Sequence, residues 1–210
     1  MKKSILFAMV AGSLVSGSVL ADSVTDGWTT PPTAGDRDAA SAEIEFIAEV
    51  PTIMAGKWMT FTGEAGGALD AGKFEVQGDG QFATTDPVVL ELHWYDPDTN
   101  ATGDLISDEA FGETDKAKIG SLTYTVSKVD FVSETALSDV SDAEALVKVD
   151  GHIIQEEMPM DSATMLANPA VTSWTIENKS AATVFGHIAA GDSISATATV
   201  TADVAYITAS

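Results

Sequence analysis

The chain has 210 residues and no cysteine, and its 32 acidic against 10 basic side chains give a formal net charge of −22. The missing thiols exclude disulfide stapling, thiol catalysis and cysteine metal sites, so the fold must rest on its core or on partners. The negative field excludes nucleic acid and anionic membrane surfaces as partners, because both carry the same sign.

Met1-Lys2-Lys3, the apolar stretch from Ile5 to Val10 and the close at Val19-Leu20-Ala21 read as a secretory signal cleaved after Ala21. A membrane span would need roughly 20 apolar residues, more than this stretch supplies. Removing residues 1–21 leaves 189 and, with Lys2 and Lys3 gone, a net charge of −24. That length suits one domain with a sizeable core. Such acidity reads first as a solvated surface suited to a salty exterior.

Residues 22–41 hold Gly27, Pro31, Pro32 and Gly35 with little apolar content, and read as a flexible acidic leader. Residues 42–50 alternate, with Ala42, Ile44, Phe46, Ala48 and Val50 on one face and Glu43, Glu45 and Glu49 on the other, Ile47 being the one exception. This predicts a strand with an apolar and an acidic side, ended by Pro51. Further strands are predicted at 58–61, 73–76, 88–95 and 122–126, with 128–132 continuing as strand or bulge, and at 146–154 around the Asp150-Gly151 turn. The stretch 63–72 reads as a glycine-rich turn, 96–120 as acidic and turn-rich, 133–145 as ambiguous with a short helix in view, and 158–169 as a loop. Strands at 172–177 and 182–188 precede the cleanest signal in the chain, residues 192–207. There Ile194, Ala196, Ala198, Val200, Ala202 and Val204 share one face, and Ser193, Ser195, Thr197, Thr199, Thr201 and Asp203 the other. Many short strands with turns between them and no long helical period predict an all-β sandwich over residues 51–210.

The sequence offers little chemistry. His93, His152 and His187 lie in separate strand-like contexts, and no metalloprotease, nucleophile-elbow or phosphate-loop motif is present. Carboxylates are too abundant for any pair to be diagnostic, so an enzyme is not expected and no cofactor is called for. Asp96, Asp98 and Asn100 begin like a calcium loop and are weak metal candidates. Ala101 stands where that loop needs glycine, and Ser107 where it needs a bidentate carboxylate. Trp58, Trp94 and Trp174 sit in strand patterns and are expected in the core, whereas Trp28 lies in the leader.

A strand over 42–50 behind a leader has two options: pairing within its own sandwich, or donation to a second copy. Donation makes a head-to-tail contact that propagates instead of closing. The signal ending Ser-Gly-Ser-Val-Leu-Ala21, the run Ala42-Glu-Ile-Glu-Phe-Ile-Ala-Glu-Val-Pro51 leading to Trp58-Met-Thr-Phe61, and the close from Ile188-Ala-Ala-Gly-Asp-Ser-Ile-Ser-Ala onward carry a resemblance. The chain resembles the major subunits (pilins) of chaperone-usher fimbriae, in particular the cysteine-free coli-surface-antigen kind. The resemblance covers both ends and little of the middle. It implies an incomplete immunoglobulin-like sandwich completed by a donated strand, with Ile44, Phe46, Ala48 and Val50 as donor residues. The face from Ile194 to Val204 would line or border the acceptor groove. It also implies, as partners, a periplasmic chaperone, an outer-membrane usher, further copies in a filament and a host or surface receptor, with export through the periplasm to the cell surface. Family donor strands begin close to the cleavage point, whereas here residues 22–41 intervene. The alternative is a secreted monomeric β-sandwich that binds carbohydrate or calcium.

Overall fold

The computed structural model describes residues 32–45, 53–107, 117–162 and 166–208, with side chains at 43–45 not described. In chain order the strands are β1 (Arg37–Glu45), β2 (Ile53–Met54), β3 (Met59–Thr62), β4 (Lys73–Val76), β5 (Phe82–Asp86), β6 (Val88–Asp96) and β7 (Ala101–Leu105). There follow β8 (Ala117–Val126), β9 (Asp130–Ser133), β10 (Ala145–Val149), β11 (His152–Ile154), β12 (Met160–Asp161), β13 (Val171–Asn178) and β14 (Ile194–Thr208). A 3-10 turn lies at Glu64–Gly66.

Two antiparallel sheets result. The first runs β12-β8-β14-β1-β2, with β9 also on β14. The second is built around β13, which pairs with β10 on one side and with β5 and β6 on the other; β11, β4, β3 and β7 extend it. Inward side chains of the two sheets meet as aromatic pairs. Phe61 and Trp174 of the second sheet lie 6.4 and 5.9 Å from Tyr124 of the first, and Phe82 lies 5.0 Å from Phe131. The predicted all-β sandwich is therefore the observed fold.

The facing layers differ in kind. β14 brings Ala196, Ala198, Val200, Ala202 and Val204 to the core, and β1 brings Ala40 and Ala42. The second sheet answers with Met59, Phe61, Phe82, Leu90, Leu92, Trp94, Trp174 and Ile176. Small residues opposite large ones let two sheets interdigitate at native density. Trp58, Trp94 and Trp174 are 3, 4 and 0% exposed, so all three are core residues and none is a stacking platform. Trp28 lies outside the described residues.

Several sequence expectations change. The strand expected from Ala42 begins at Arg37, so residues 37–41 belong to β1 and not to a leader. Only 32–36 of the remaining leader are described, as a turn held by Gly35 N–H donating to Tyr206 O (3.0 Å). β5 occupies a stretch given no assignment, β7 one read as acidic and turn-rich, and β12 lies in the stretch read as a loop. Residues 133–145 contain no helix; they turn and make an isolated bridge from Asp139 to His187. Residues 182–188 are turn and bridge instead of strand, and Phe185 plugs the core against Phe82 at 4.8 Å between ring centres. That close packing requires Gly80, whose φ is +83° and whose added Cβ would lie 2.1 Å from Phe185 O.

Candidate functional site

β14 is the longest strand and the axis of its sheet. On one flank it pairs with β9 and β8, on the other with β1. The β1 ladder is antiparallel and unbroken for nine residue pairs, from Arg37↔Ala205 to Glu45↔Thr197. On its outer side β1 pairs with β2 at Ser41 and Ala42 only, among the described residues. It is thus close to an edge strand, held mainly from one side.

The predicted acceptor residues are brought together. Ala196, Ala198, Val200, Ala202 and Val204 are at most 2% exposed, and Ile194 is half-buried at the rim of the core. They face the second sheet, and β1 lies beside them in the same layer. Of the predicted donor residues, Ile44 is placed by its backbone opposite Ala198, and Phe46, Ala48 and Val50 lie outside the described residues. On the described part of β1 the buried positions are Asp38, Ala40 and Ala42.

Asp38 is the residue that sequence reading missed. Its Oδ1 accepts from Lys57 N–H (2.7 Å) and Ala39 N–H (3.0 Å), and its Oδ2 from Trp58 N–H (2.6 Å). The carboxylate is 8% exposed, so without those donors its burial would be costly. The Trp58 ring stands edge-on to Tyr206 at 5.7 Å, and Lys57 Nζ lies 4.2 Å above the Trp58 ring. Burial pushes the Tyr206 phenol pKa well up, with Asp38 and Asp36 adding to the shift. The available signal was parity: Asp38 shares the face of Ala40 and Ala42, where an acid is out of place.

The Asp96–Asn100 stretch is the β6–β7 hairpin turn. Asp96 Oδ1 accepts from Asp98 N–H (2.9 Å), its Oδ2 from Thr99 Oγ1 (2.8 Å), and Asn100 Oδ1 from the Tyr95 hydroxyl (2.8 Å). The Thr99 hydroxyl bond leads in lowering the Asp96 pKa. Asn100 takes φ +54°, a left-handed turn residue. Asp96 and Asn100 therefore serve the turn, and no group of three or more metal-ligating side chains occurs among the described residues.

A second acid is buried on the outer face of the second sheet. Glu91 accepts from Ala65 N–H (3.0 Å) and Gly66 N–H (2.9 Å), and its Oε2 lies 3.0 Å from His93 Nε2. His93 Nδ1 lies 2.8 Å from Gly103 O. Both partners of the ring are acceptors, a backbone carbonyl at one nitrogen and a carboxylate at the other. Burial works to raise the Glu91 pKa; the bonds from His93, Gly66 and Ala65 outweigh it and hold the carboxyl below its ordinary value. His93 is thus buried against Glu91, whereas His152 and His187 are exposed.

An open groove of about 420 Å³ lies at the β10–β11 edge, lined by Leu146, Ile153, Gln155, Glu156 and Lys179 among others and by no aromatic ring. It lacks the flat apolar face on which sugars stack. No protein-family model, no curated protein and no solved structure matches the chain.

Proposed function

We propose that this chain is the structural subunit of a bacterial surface fimbria that polymerises by exchanging strand β1 between copies and so supports adhesion. The nine-pair ladder between β1 and β14 carries the reading. It joins the first described strand to the last, and on its outer side β1 pairs with β2 at Ser41 and Ala42 only, among the described residues. Such a strand can be supplied by another copy with its ladder unchanged, and a contact of that kind is head-to-tail and does not close. Removing β1 leaves an incomplete immunoglobulin-like sandwich with one side of β14 open. A periplasmic chaperone would cover it until an outer-membrane usher presents the next subunit. In sequence parity Ile44, Phe46, Ala48 and Val50 follow Ala40 and Ala42, and in this reading they are the donor residues for the groove beside Ile194–Val204.

A second reading is favoured by the same ladder as it stands within one chain: a secreted monomer that keeps β1 at home and binds carbohydrate or calcium elsewhere. An unheated denaturing gel of protein sheared from the cell surface separates the two. A ladder of multimers that collapses on boiling and is absent when residues 37–50 are deleted supports exchange. A monomer band from both chains refutes it. Because the deletion alone can cost the fold, a further chain carries residues 37–50 after Thr208 through a short turn. Arg37 lies opposite Ala205, so that arrangement is a simple hairpin with β14. Exchange predicts that this chain folds and stays monomeric.

A further inference from the structure

We propose that the turn Gly56–Trp58 is a carboxylate clamp that admits β1 in one register only, by reading Asp38. Its bearing on assembly between copies rests on the strand exchange proposed above; its bearing on register does not.

Little else along the described part of this ladder marks position. β14 repeats small aliphatic residues inward and, apart from Asp203 and Ala205, Ser or Thr outward, and β1 offers Ala40 and Ala42 inward. A slip of two residues keeps every side chain on its proper face, so patterning alone specifies such a register weakly. Asp38 breaks the equivalence. Its two oxygens take the N–H groups of Lys57 and Trp58, and Gly56 brings the turn close enough for this. A Cβ at Gly56 would stand 2.3 Å from Ala39 O and 2.7 Å from Asp38 Oδ1, so only glycine permits the approach. The turn therefore fits a strand with an acid at this one position.

The two slips fail for different reasons. Sliding one way sets Ala40 in the clamp, where a methyl group leaves the Lys57 and Trp58 N–H groups without their acceptor. Sliding the other way sets Asp36 there. Asp36 then abandons Thr33, whose N–H and hydroxyl it binds at 2.9 Å each, and the backbone pair between Tyr206 N–H and Asp36 O (3.1 Å) is lost. Either shift also breaks the contact of Gly35 N–H with Tyr206 O.

The chain has no native thiol, so engineered cysteine pairs report register without background. Ser41→Cys with Thr201→Cys reads the observed register. Ser41→Cys with Asp203→Cys reads the slip that places Ala40 in the clamp, and Ser41→Cys with Thr199→Cys the slip that places Asp36 there. Oxidation of the full chain should favour the first pair about tenfold or more, since a slip strands buried donors. Asp38→Ala should raise the slipped pairs to within about threefold of the first, and Asp38→Asn, which keeps one acceptor, should fall between. Gly56→Ala, with Asp38 intact, should loosen register in the same way. An unchanged ratio in Asp38→Ala overturns the clamp; if that variant loses the fold, an unchanged ratio in Asp38→Asn does so. Non-reducing gels separate this from the polymer reading. Crosslinks confined to monomers sink strand exchange and leave the register comparison intact, whereas a covalent ladder with an unchanged ratio sinks the clamp alone.

Discussion

Replacing Glu91 with glutamine tests the buried carboxylate on the outer face of the second sheet. The carboxylate receives three hydrogen bonds, from Ala65, Gly66 and His93. A glutamine offers one accepting oxygen and one donating amide, so in either orientation one backbone N–H of the 64–66 turn faces another donor. Stranding a buried donor costs about 1–3 kcal/mol, and loss of the charge-assisted bond to His93 falls in the same range. With partial relaxation the expected destabilisation is about 2–3 kcal/mol, or a Tm lower by about 4–12 °C for a domain of this size. The effect depends on pH. The Glu91 carboxyl titrates in the folded protein below its ordinary value of 4.5, so its contribution is fully present above that value and fades as pH falls through the folded one. Thermal unfolding of both proteins should show the full gap at neutral pH and a narrowing gap on acidification below about 4.5. Equal Tm values at pH 7, or a gap constant down to pH 3, would refute this account of the pair.

Three further outcomes are expected. Phe82→Ala empties the centre of the Phe74, Phe131 and Phe185 cluster, so urea unfolding should lose about 3–5 kcal/mol. Asp192→Ala should free the 133–138 loop, which that carboxylate holds through Ser133, Thr135 and Ser138; hydrogen exchange at the Thr135 and Ser138 amides should accelerate while β8 and β14 stay protected. The same contacts hold the Asp192 pKa far below its ordinary value, so the loop should stay protected through mildly acidic pH. Finally, added salt should raise both Tm and the yield of multimers, because screening relieves self-repulsion in a chain of net charge −22; a yield that falls with salt would contradict the exchange reading.

The sandwich was legible wherever one side of a strand is dry and the other wet. β14, β10 and β13 alternate because they lie inside their sheets, facing core on one side and solvent on the other. β7 escaped notice because both its faces are largely exposed and no alternation is demanded of it. β5 was hidden for a related reason, with Phe82 its one fully buried residue. The start of β1 was read as leader because alanines and an acid give almost no hydropathy signal, although they occupy the buried parity. The expected strand at 182–188 failed because Phe185 fills the core from a turn, a role fixed by distant Phe82 and Gly80. The anchoring of the two buried acids escaped for one reason. Besides Ala39 and His93 nearby, their partners are N–H groups of turns 19 to 26 residues away, and backbone donors leave no trace in a side-chain pattern.

The small-residue face of β1 has a thermodynamic corollary. Aromatic residues of the second sheet remove about 150–250 Å² each from water, whereas Ala40 and Ala42 each add a single methyl group. Over Arg37–Ala42 the strand is held chiefly by its ladder and by the Asp38 bonds, so its release exposes little apolar surface for each residue freed. Heat capacity follows apolar exposure, and the free energy of that release is therefore nearly straight in temperature, where the aromatic core follows a dome. Cooling weakens hydrophobic contacts and leaves hydrogen-bonded ladders largely intact. In the cold, the grip on Arg37–Ala42 fades less than that within the aromatic core.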